Sequence, residues 1–134
     1  MKRFAAILAF VSVIILAISC SSAYTSSEGD YLEKYYAPES LLTLVENPDS
    51  TIWIVDVRGK AAYDNRHIPT AKNYPSSEIM DLLDEIPKSI GIIFYCETGG
   101  RAQMVINNLE DEGYTKMLNW GGNSRWPYDF DSND

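Results

Sequence analysis

The stretch "CETGGR", residues 96–101, sets a cysteine, a glycine pair and an arginine within six positions, directly after the apolar run "GIIFY". A thiolate is a potent nucleophile, and it works best where hydrogen-bond donors and positive charge stabilise an anion on or beside the sulfur. Gly99 and Gly100 permit the positive φ values by which the segment from Glu97 through Thr98 to Gly100 can turn its N–H groups toward the Cys96 sulfur. A helix beginning near Arg101 directs its positive end at the same point, and the Arg101 guanidinium adds a planar fork of donors for an oxyanion. A cysteine that merely fills the core at a strand end would explain neither the glycine pair nor the arginine.

The elements that must position these residues follow from the spacing of apolar side chains. "PESLLTLVEN" starts with Pro38, suited to a first helical turn, and carries Leu41, Leu44 and Val45 on one side, which predicts a helix that stops before Pro48. "TIWIVDV", residues 51–57, and "GIIFYC", residues 91–96, are short continuous apolar runs, the pattern of strands covered on both faces in a parallel sheet. A short helix near residues 60–65 and a short strand within "HIPTAKNYP" follow the first of them. "SSEIMDLLDEIP" reads as a helix with Ser77 as N-cap and Ile79, Leu82, Leu83 and Ile86 at helical spacing. After the glycines, Ala102, Val105, Ile106 and Leu109 form a helical stripe ending at Gly113, and "YTKMLNW" closes as a last strand. Strands alternating with helices predict an α/β domain over residues 31–134, a three-layer sandwich with a central parallel sheet flanked by helices. Ligands in such sheets bind beyond the carboxyl ends of the strands, which is where Cys96 falls.

The loop resembles that of the rhodanese family, which runs cysteine, four residues, arginine, with a glycine three residues after the cysteine; Cys96, Gly99 and Arg101 occupy those positions. "IVDVR" resembles the family's second-strand signature, "HIPTAKNYP" its His-Ile-Pro-Gly-Ala segment, and "GGNSRW" its Gly-Gly-x-x-x-Trp. The resemblance implies a rhodanese-like fold and sulfur transfer: Cys96 takes a sulfane sulfur from thiosulfate, a polysulfide or a persulfide. The resulting persulfide is held by the loop amides and passed to a thiol, cyanide or protein-thiol acceptor, with neither metal nor organic cofactor. Within it Asp56, Arg58 and the sole histidine, His67, read as residues that stabilise the fold behind the loop rather than take part in the chemistry. The chain departs from the family at Glu97, where active sulfurtransferases frequently carry a basic residue, and at Arg66 and Thr70, where glycines are common. A negative Glu97 disfavours the thiolate and an anionic donor alike. Two rivals share the fold: a non-catalytic binding module, and a cysteine phosphatase, whose loop has five residues between cysteine and arginine where this chain has four.

The ends and the charge complete the reading. "MKR" followed by the uncharged run of residues 4–18 and the small residues around Cys20 is the pattern of an export signal, and 15 residues are short for a membrane span. "LAISC" resembles a bacterial lipobox, with Ala17 where leucine is usual, and implies that Cys20 is lipidated after removal of residues 1–19. A signal cut after Ala23 and an uncleaved anchor are the other readings of the same stretch. The Ser-rich residues 20–30 read as a flexible tether, and the domain as a monomer in the cell envelope, in contact with a membrane only through that anchor. A net charge of -8 argues against a nucleic-acid partner.

Overall fold

A computed structural model describes residues 23–133. Its centre is a five-stranded sheet in the order β1-β5-β4-β2-β3. The strands are β1 (Tyr24–Thr25), β2 (Ile52–Asp56), β3 (Lys72–Asn73), β4 (Gly91–Cys96) and β5 (Met117–Gly122). The α-helices are α1 (Pro38–Glu46), α2 (Lys60–Asn65) and α3 (Gly100–Asp111). Strands β2 to β5 are parallel, and β4 lies in the middle with every residue buried, so its continuous hydrophobicity reports cover on both faces.

On one face, α3 lays Ala102, Val105, Ile106 and Leu109 over Val55, Phe94, Cys96 and Met117. Burying each of the three larger side chains contributes about 1.5–3 kcal/mol. On the other face, Leu32, Leu41 and Leu44 pack with Ile54, Tyr95, Leu118 and Trp120. Trp120, Trp126 and Tyr128 meet edge to face at 6.4 and 5.0 Å, which makes the C-terminal aromatic residues part of this second core. The three layers expected from the sequence are present.

Three expectations are corrected. The sheet is mixed, because β1 runs antiparallel to β5, with Tyr24 opposite Asn119 and Thr25 opposite Leu118. The same strand shows that residues 24–30 are not a flexible tether. Ser26 is buried, its Oγ accepts from the Met117 N–H at 2.7 Å and donates to the Thr115 carbonyl at 2.5 Å, and the 3-10 helix Asp30–Tyr35 follows at once. The segment expected as a helix with Ser77 as N-cap instead forms two 3-10 turns, Ile79–Asp81 and Leu83–Glu85. Pro87 forces Ile86 into extended backbone at ψ 105°, and Asp84 and Glu85 would lie at the negative end of a helix ending there. Residues 1–22, with the apolar run and Cys20, lie outside the described residues; among those described, no helix is long and apolar enough to cross a membrane.

Candidate active site

Strand β4 ends at Cys96 and α3 begins at Gly100, so the loop between them stands at the carboxyl edge of the sheet. The Gly99 N–H donates to the Cys96 sulfur at 3.0 Å. Gly99 adopts φ 98°, ψ -15°, a left-handed conformation open to glycine at little cost, and it is followed directly by the right-handed Gly100. A left-handed residue followed by a right-handed one makes successive N–H groups converge, which is an anion nest. The first-turn amides of α3 have no intrahelical acceptor and carry the helix's positive end. The loop thus brings one N–H and the start of a helix to the Cys96 sulfur.

Two features of the sulfur's surroundings were not legible. Cys96 is 1 % exposed, packed in the α3-side core, and so forms the floor of the loop rather than an open nucleophile. Glu97 and Arg101 lie together at 3.8 Å on the outside, with 61 % and 47 % of their side chains exposed. Such an exposed pair is worth no more than about 1 kcal/mol, so Arg101 is not held away from an incoming anion.

The loop is shaped by β5 as much as by its own glycines. Gly122 pairs with Cys96, and a Cβ there would stand 2.3 Å from the Glu97 carbonyl oxygen, so only glycine lets strand and loop approach this closely. Between Phe94 and Tyr95 the register of β4 with β5 slips at Trp120, a bulge that Gly121 accommodates at φ 103°. Asn119 reaches from β5 to the Gly99 carbonyl. Sequence reasoning passed over Asn119; a lone carboxamide inside an apolar strand, two residues before a glycine pair, was the signal available.

Asp56, Arg58 and His67 are built into the neighbouring loops, and none has a described contact with Cys96. The Asp56 carboxylate accepts from the Arg58 N–H at 2.8 Å, from Nε at 3.1 Å and from Nη2 at 2.7 Å, and the pair is almost wholly buried. Nη2 also donates to the Arg66 carbonyl at 2.6 Å, tying the exit of β2 to the end of α2. Burial works against the guanidinium charge, but the hydrogen bonds and charge of Asp56 outweigh it and hold Arg58 above its ordinary range. Burial likewise pushes the Tyr95 phenol far up, with the Asp56 charge adding to it, so its oxygen stays protonated while accepting from the Ile68 N–H at 3.0 Å. His67 is buried, with Nδ1 2.7 Å from the Tyr63 carbonyl and its ring stacked on Tyr63 at 3.8 Å. These contacts tie the three side chains into the segments that follow β2. Thr70, in the same segment, sits at φ 69°, a conformation that a β-branched residue adopts only under strain.

A family model described as "Rhodanese-like domain" matches residues 37–126. An adenylyltransferase and sulfurtransferase of Ogataea parapolymorpha is 33% identical over 84 residues, which are 60% of this chain and 21% of that protein. A sulfurtransferase of Allochromatium vinosum is 33% identical over 71 residues, covering 53% of this chain and 66% of its own length. The chain therefore spans from about a fifth to just under two thirds of the length of these curated relatives. Among solved structures, a rhodanese-like domain protein of Staphylococcus aureus superposes with a TM-score of 0.63 at 26% identity, over 72% of this chain and 95% of that one.

Proposed function

Because this chain belongs to the rhodanese-like domain family, we propose that it transfers a sulfane sulfur from a small donor to a nucleophilic acceptor through a persulfide on Cys96. The Cys96 thiolate attacks the outer sulfur of thiosulfate, a polysulfide or a persulfide, and the donor's S–S bond breaks with its electron pair leaving on sulfite, a polysulfide one sulfur shorter or a thiolate, respectively. The new Cys96 S–S bond ends in a sulfur anion, which the nest receives. A thiol or cyanide then attacks that outer sulfur and returns the thiolate, so one difficult transfer becomes two easier ones.

The single observation that carries this reading is the Gly99 N–H on the Cys96 sulfur inside a left-handed-to-right-handed turn at a helix start. The test is intact mass after incubation with thiosulfate, polysulfide and a small persulfide. The wild-type protein should gain one sulfur that maps to the Cys96 peptide, and Cys96→Ala should gain none between residues 23 and 133, where Cys96 is the only cysteine. If no donor loads an intact loop, the chain is a binding module instead, a reading favoured by the 1 % exposure of Cys96. We further propose that the protein is exported and anchored in the cell envelope by lipid on Cys20, which the charged start, the short apolar run and the small residues before that cysteine support.

A further inference from the structure

The glycines that build the nest also leave it easy to undo. Gly99 at ψ -15° places its own nitrogen and that of Gly100 on the same side of the chain, so the Gly100 N–H opens beside the Gly99 N–H that holds the sulfur. The Gly99–Gly100 peptide is trans, so its carbonyl points opposite to its N–H. With glycine on both sides, that peptide can turn over at little steric cost, and the turn would replace a donor by a carbonyl oxygen facing the sulfur.

The Gly99 carbonyl is gripped twice. It accepts the Gln103 N–H at 3.0 Å, the first bond of α3, and the Asn119 Nδ2 at 3.1 Å. The carboxamide of Asn119 is itself fixed: Nδ2 also donates to Gln103 Oε1 at 3.1 Å, and Oδ1 accepts from the Gly121 N–H at 3.0 Å. Its backbone lies between two strands, paired with Tyr24 of β1 and Phe94 of β4. We infer that Asn119 is a positioning residue that locks the Gly99–Gly100 peptide with its N–H turned into the nest, and so sets how well the Cys96 loop receives an anion. The inference takes from the sulfur-transfer reading only the identity of that anion, the donor or the outer persulfide sulfur.

Alkylation of Cys96 by neutral iodoacetamide and by anionic iodoacetate, followed by mass measurement of the Cys96 peptide, tests this without any turnover. The ratio of the two rates reports how the loop treats an approaching anion. Asn119→Leu should lower the iodoacetate-to-iodoacetamide ratio about tenfold, as expected for losing a well-aimed donor to an anion. Asn119→Ser, too short to reach Gly99, should do the same and serves if the leucine form does not fold. Val105→Ala, which loosens α3 from its buried face without touching Asn119 or Gly99, should leave the ratio within about twofold of wild type. A ratio unchanged in both Asn119 variants, or one that falls equally in Val105→Ala, overturns the inference. Sulfur loading measured alongside separates the two readings. Wild type that shows the ratio effect but takes no sulfur removes the transferase, whereas loading with an unmoved ratio removes only the role of Asn119.

Discussion

Glu97 occupies the position next to the sulfur, and its charge faces an incoming anion together with that of Arg101, 3.8 Å away. Both side chains are about half exposed, so solvent screens them and neither fixes the other. The net field of the pair at the loop is close to neutral, whereas a basic residue in place of Glu97 would make it clearly positive. Glu97→Arg should therefore raise the rate of sulfur loading from thiosulfate by about three- to tenfold at low ionic strength. The gain should shrink as salt is added, because the Debye length falls to about 10 Å at 0.1 M and about 3 Å at 1 M. Loading measured against ionic strength checks this, and a gain that persists at 1 M salt would mean that shape rather than charge had changed. A neutral donor should feel the substitution little. Arg58 offers no comparable lever, since it is buried with Nε and Nη2 held by Asp56 and the Arg66 carbonyl.

At the scale of elements, the loop depends on how closely β5 approaches it, and two neighbouring glycines separate steric need from conformational need. Gly122 has φ -104°, which any residue can adopt, but a Cβ there would lie 2.3 Å from the Glu97 oxygen and 3.1 Å from the Thr98 Cα. Backbone cannot yield as a side chain can, so Gly122→Ala should cost about 1–3 kcal/mol and reduce sulfur loading by displacing residues 97–98. Gly100, by contrast, faces open space at the first position of α3, and Gly100→Ala should be neutral or stabilising by up to about 1 kcal/mol. Thermal unfolding of the two variants reads the difference. The sequence made β4 and α3 legible because their apolar spacing is set by the surfaces they bury, and "CETGGR" because a nest needs glycine where it turns. What it hid was contact made across the chain. Gly122 reads only as one position of "GGNSRW" until Glu97 is seen against it, and Asn119 looks like a strand end until its amide is seen on Gly99. The 3-10 turns near Ile79 and Leu83 were hidden for another reason. Their apolar spacing fits a helix, and only Pro87 and the acidic residues before it oppose one.

At the scale of the whole molecule, the early start of the fold changes what an anchor on Cys20 would do. A tether over residues 20–30 would let the domain range far from a bilayer, but β1 begins at Tyr24 and is fastened to β5 along its length. The Tyr24 hydroxyl adds a bond to Glu110 of α3 at 2.6 Å, and the Ser26 hydroxyl one to Thr115. Four Cα steps separate Cys20 from Tyr24, a reach of at most about 14 Å at full extension. A lipid on Cys20 would thus hold the β1 edge of the sheet close to the headgroups, with a domain of net charge -10, since Lys2 and Arg3 leave with residues 1–19, facing any anionic lipid there. That repulsion leaves the acyl chains as the sole source of membrane affinity, so removing them should release the domain completely. Wild-type protein should fractionate with membranes, and Cys20→Ala should appear in the soluble fraction with an unchanged melting temperature, because the substituted position precedes the first strand. Wild type found in the soluble cytosol would remove export. A Cys20→Ala form bound as firmly as wild type would show instead that the apolar run of residues 4–18 stays on the protein and holds it there.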